Sequence, residues 1–69
     1  MCIKFIDVKW SNISLPENFI KNIRKDFLVD KDGQLFDYND LHDILAAYLH
    51  DEFGAVPLSF RFDIQSQMN

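Results

Sequence analysis

Two histidines, one cysteine and a run of carboxylates are the side chains of this 69-residue chain best equipped for chemistry. His42 and His50 lie eight positions apart. On a helix that separation is a rise of ~12 Å, too long for both rings to ligate one zinc ion. His50 shares a helix side with Asp43, but no nucleophile lies within local reach of either. His42, at the edge of an apolar stripe, suits a hydrogen-bonded boundary role. Cys2 would be a nucleophile only where the fold carries a histidine and a carboxylate to it. A single cysteine forms no intramolecular disulfide, and no Cys–His spacing suits zinc. Gly33 and Gly54 are the only glycines, so there is no glycine-rich phosphate loop. The chain reads as non-enzymatic and without a cofactor.

A calcium loop is the next chemistry to weigh. Asp30-Lys31-Asp32-Gly33 can be aligned on the invariant glycine of an EF-hand loop, making Asp30 and Asp32 ligands. Leu28 then falls on the first ligand position and Asn39 on the last, where a bidentate glutamate is required. Two carboxylates make a poor calcium site, so the sequence reads here as a solvated turn, with metal binding through Asp30 and Asp32 as a weak alternative.

Charge is unevenly distributed. Asp, Glu, Lys and Arg give +2 over residues 1–29, −6 over 30–52 and 0 over 53–69, for a net −4. An acidic chain is disfavoured as a general nucleic-acid binder, because Lys and Arg against phosphates supply that affinity. Lys4, Lys9, Lys21, Arg24 and Lys25, with Trp10 available to stack on a base, form the nucleic-acid alternative. The favoured reading is protein–protein contact through an acidic helix face comprising Asp37, Asp40, Asp43, Asp51 and Glu52. Glu52 is the weakest member, since the helical wheel turns it toward the apolar stripe. A basic nucleic-acid-handling protein is the partner this face suits, by electrostatic steering with aromatic anchors. A homodimer is the other interaction considered, and solubility alone is the competing explanation of the acids.

These side chains depend on the elements that carry them. Residues 2–10, CIKFIDVKW, form a strand whose alternation changes phase, from Ile3 and Phe5 to Ile6, Val8 and Trp10, which predicts a bulge near Phe5–Ile6. Ser14-Leu-Pro-Glu17 has the form of a capping box with proline in the first turn. It predicts a helix burying Phe19, Ile20, Ile23 and Phe27 and showing Lys21 and Lys25 to water. A short strand over Gln34–Phe36 is possible in pattern. A second helix follows, capped by Asp37 or Asn39 and ended by Gly54. Its apolar stripe is Tyr38, Leu41, Ile44, Leu45, Tyr48 and Leu49, opposite Asp40, Asp43, Ala47 and Asp51. Leu58, Phe60, Phe62 and Ile64 alternate inward along a last strand. The order β-α-(β)-α-β predicts a small two-layer α+β domain with two helices on one face of a 2–3-stranded sheet. Residues 1–69 make a single domain, with 65–69 a frayed tail.

Composition fits that reading. Apolar residues are 48% of the chain, with seven Phe, two Tyr and one Trp, which excludes the low hydrophobicity of a disordered chain. No apolar run approaches the ~20 residues of a membrane span. The lack of disulfide staples and of a signal peptide reads as cytoplasmic.

The stretch Asp40-Leu-His-Asp-Ile-Leu-Ala-Ala-Tyr-Leu-His-Asp-Glu-Phe-Gly54, followed by Pro57-Leu-Ser-Phe60, resembles the C-terminal signature of small uncharacterised bacterial and phage open reading frames. Trp10 and Leu15-Pro16 are similar to their N-terminal half. This sequence departs from that pattern at His50 and at Ala55-Val56. The resemblance covers about two-thirds of the chain through cap, core and strand residue types. It implies a phage or mobile-element context, and no activity comes with it.

Overall fold

The computed structural model describes residues 1–11 and 14–65. It contains strand β1 (Cys2–Trp10), strand β2 (Phe19–Asn22), a 3-10 turn (Lys25–Phe27), helix α1 (Tyr38–Phe53) and strand β3 (Pro57–Gln65). The sheet has the order β2-β1-β3 and is antiparallel throughout. Among the described residues one α-helix, not two, packs on this sheet, and the expected β-α-(β)-α-β order is therefore corrected. Gln65 pairs with Cys2 and so belongs to β3 rather than to a tail, while 66–69 lie outside the described residues.

The phase change in β1 is a bulge, placed slightly later than Phe5–Ile6. Ile6 pairs with Arg61 and Lys9 with Ser59, so β1 takes one more step than β3 between them. The extra residue is accommodated at Asp7, whose φ of 52° is left-handed. Beyond it, inward parity passes from Ile3 and Phe5 to Val8, and all three are buried. Asn18 anchors the irregular stretch by accepting the Asp7 N–H through Oδ1 at 3.1 Å. The Val8 N–H is taken by the Glu17 carbonyl at 2.9 Å.

A compensating irregularity follows in β3. Lys9 pairs with Ser59 but Trp10 with Pro57, so β3 carries the extra residue there. Leu58 is turned outward, 71% exposed, while Pro57, Phe60 and Phe62 are buried. The alternation predicted for β3 therefore holds from Phe60 onward and fails at Leu58.

The predicted first helix is replaced by β2 and the turn after it. Central strand β1 needs a hydrogen-bonding partner on each edge, and Phe19–Asn22 supplies one. Phe19 faces inward and stacks on Phe5 at 5.0 Å between ring centroids. Ile20 faces out, as its pairing with Lys4 requires. Phe27, inward on the helical reading, is 58% exposed. The cap residues find other work, since Glu17 pairs with Lys9 at 3.4 Å and the Pro16 carbonyl accepts the Trp10 indole N–H at 2.8 Å.

The second helix forms as its sequence demands. Asp37 accepts the Asp40 N–H at 2.9 Å, capping the N-terminus. Gly54, at φ 73°, closes the C-terminus. Leu41, Leu45 and Leu49, at four-residue spacing, are buried against the sheet. They meet Ile3, Phe5, Val8, Phe60 and Phe62 from the strands and Ile23 and Leu28 from the segment between β2 and α1. The bridge Val29–Leu35 and the Phe36 N–H donated to the Leu28 carbonyl take the place of the short strand expected at 34–36.

Candidate functional site

The outer side of α1 carries the predicted acidic face, and the structure divides its members. Asp40, Asp43 and Asp51 are exposed along one helix, the first two within a turn of each other and the third about two turns beyond them. Asp37 lies at the cap and its carboxylate is engaged by the backbone. Glu52 pairs with Lys21 of β2 at 3.2 Å, so it is compensated and set apart from the other acids.

Four ion pairs join described residues: Lys9–Glu17, Lys21–Glu52, Arg24–Asp26 and Arg61–Asp7. They remove four acids and four bases from the balance. Asp40, Asp43 and Asp51 stand outside these pairs, so the net −4 of the chain is concentrated among carboxylates such as theirs.

Beside that row lies an apolar cleft of about 330 Å³, lined by Ile23, Phe27, Ile44, Leu45, Ala47, Tyr48 and Asp51. It forms because the chain leaves β2 through Ile23 and turns at Lys25–Phe27, standing off from the helix. Ile44, Ala47, Tyr48 and Asp51 follow the i, i+3, i+4, i+7 pattern of one helix face. Asp40 and Asp43 extend the same stripe one turn toward the N-terminus. Ile44 and Tyr48, expected to be core, are half-buried cleft walls, because Leu41, Leu45 and Leu49 fill the space facing the sheet. The cleft is what the sequence reading missed. Its signal was Phe27, the last large apolar residue of the predicted first-helix stripe.

The nucleic-acid set is dispersed. Lys4 and Lys9 lie on β1, while Lys21 reaches toward the C-terminal end of α1 to meet Glu52. Arg24 is held by Asp26 at 2.7 Å, and Lys25 sits in the 3-10 turn. Trp10 is half-buried, packs edge-on against Phe53 at 5.3 Å and donates its indole N–H to Pro16. Among the described residues no basic helix gathers these side chains on one face.

The Asp30–Gly33 segment is a turn. Asp30 Oδ1 accepts the Asp32 and Gln34 N–H groups at 2.9 and 3.0 Å, and Gly33 takes φ 81°. The carboxylate best placed to begin a cation site is thus committed to its own backbone. Among the described residues no three His, Cys, Asp or Glu side chains gather as a metal site.

His42 lies flat on Phe60, 4.0 Å between centroids, with Nε2 3.1 Å from the Phe60 carbonyl oxygen. A carbonyl only accepts, so Nε2 carries the proton. One turn earlier, Tyr38 stacks on Phe62 at 4.5 Å. His50 is exposed near the helix end and Cys2 half-buried at the start of β1. No helix among the described residues is long and apolar enough to cross a membrane. No protein-family model matches the chain, and no curated protein or solved structure is significantly similar to it.

Proposed function

We propose that this protein is a non-enzymatic binding module that acts by protein–protein contact through the outer face of α1. The observation that carries the reading is the row Asp40, Asp43 and Asp51, outside every described ion pair and running along an apolar cleft. Exposed charge steers a partner and the adjoining apolar surface supplies affinity, the division of labour common at interfaces. The partner is a protein with a basic surface, and a nucleic-acid-handling protein has one. Together with the resemblance to small phage and bacterial reading frames, this gives a role as an inhibitor or decoy that occupies a basic groove, in the cytoplasm of the host.

Affinity capture from the native host, read by mass spectrometry, tests this. The wild type retains a basic protein in a complex that weakens as salt rises. Reversing Asp40, Asp43 and Asp51 to Lys moves the formal net charge from −4 to +2 and abolishes capture with the fold intact. Undiminished capture by the reversed protein overturns the proposal.

A further inference from the structure

We infer that the cleft beside α1 is the anchor pocket for a basic amphipathic helix, whose apolar side chains fill it while its Lys or Arg residues meet Asp40, Asp43 and Asp51. This rests on the reading of α1 as a contact surface and adds the form of the occupant. The walls differ in kind. Ile23, Phe27, Ile44, Leu45, Ala47 and Tyr48 are apolar or nearly so, and Asp51 is the one ionised lining side chain.

Three arguments select the occupant. Four of the five α1 lining residues, Ile44, Ala47, Tyr48 and Asp51, run over two turns at i, i+3, i+4, i+7, the spacing with which a helix meets a second helix laid along it. The volume of about 330 Å³ suits a few side chains and lies at the small end of pockets for free ligands, ~300–1,000 Å³. Charge supplies the third. Asp40, Asp43 and Asp51 continue one stripe, whereas Lys25 is the single unpaired base on the opposing turn. A neutral or acidic helix would bury the apolar contact beside uncompensated carboxylates, and a basic one satisfies both at once. A second copy is a poor occupant, since the one helix among the described residues presents these same acids.

Titration with labelled synthetic peptides of about 14 residues, roughly four helical turns, tests the inference by fluorescence anisotropy and amide chemical-shift mapping. A Leu/Lys peptide with its leucines on one face binds the wild type. The same composition scrambled, with no apolar face, binds about tenfold more weakly. Phe27→Ser and Ala47→Gln, both at exposed positions, each weaken the amphipathic peptide about tenfold while circular dichroism is unchanged. Equal binding of the two peptides, or no effect of either cleft variant, overturns the inference and leaves the acidic-face reading standing. If Asp40, Asp43 and Asp51 reversed to Lys still bind the amphipathic peptide unchanged, the acidic-face reading falls and the inference with it. Shifts at Ile44, Ala47 and Tyr48 that appear with protein concentration alone assign the cleft to a second copy and also overturn it.

Discussion

Asp7 occupies a left-handed conformation, φ 52°, which costs an ordinary L-residue ~1–2 kcal/mol and Asp or Asn less. Three neighbours hold it there. Asn18 takes its N–H, Arg61 pairs with its carboxylate at 2.6 Å, and Val8 beyond it is fixed by Glu17. The Arg61 pair is solvent-exposed and contributes at most ~1 kcal/mol, so backbone conformation dominates the site. Asp7→Val, β-branched and intolerant of positive φ, is expected to destabilise by ~2 kcal/mol, about a 10 °C fall in melting temperature for a domain this small. Asp7→Gly relieves the strain, loses the ion pair, and stays within ~1 kcal/mol of wild type. Thermal melts of the two variants check this, and equal losses would show that the ion pair, not the backbone, matters here.

At the scale of elements, β2 is where periodicity misleads. Phe19, Ile20, Ile23 and Phe27 satisfy a helical stripe, and Ser14 to Glu17 satisfies a capping box, yet the segment pairs with β1. The Ile23 N–H donates to the Met1 carbonyl at 2.8 Å, so in this register odd-numbered residues of β2 bond β1 and Ile20 points its N–H to the free edge. Proline at Ile20 is therefore tolerated, whereas proline at Lys21 breaks a ladder bond. In a helix the two substitutions would be about equally damaging, at ~3 kcal/mol. Urea denaturation of Ile20→Pro and Lys21→Pro distinguishes the two. Local signals sufficed for α1, whose Asp37 cap, leucine spacing and Gly54 terminus all lie within the helix. They sufficed for the bulge too, because the parity of Ile3 and Phe5 against Val8 and Trp10 records it. They failed at β2, because the demand for a strand there comes from β1, distant in sequence. They failed at the cleft for the same reason, since Phe27 becomes a wall only after β2 has moved it away from the helical stripe. The acidic row on α1 was legible, but the loss of Glu52 to Lys21 depends on a contact 31 residues apart.

For the molecule as a whole, α1 does more than close the core. The Phe60, Phe62 and Ile64 backbones point away from β1, because Arg61 and Asp63 take the inner ladder positions opposite Ile6 and Lys4. His42 reaches down from the helix to the Phe60 carbonyl on that outer side. The strand beneath, Phe60-Arg-Phe-Asp-Ile64, combines high β-propensity with cancelling charges, the composition of a segment that templates fibrils when its edge lies bare. His42 thus occupies one of the outward backbone groups through which a strand of another molecule would add to this edge. His42→Leu keeps an apolar body over Phe60 but frees the carbonyl, and it should shorten the lag of thioflavin-positive aggregation under mild heating. His42→Gln, whose amide can still donate, should restore it. An unchanged lag in the leucine variant would show that the bulk of the helix alone protects the edge. With the lag shortened as expected, a side chain first weighed for its chemistry owes its place to covering the outer edge of a strand.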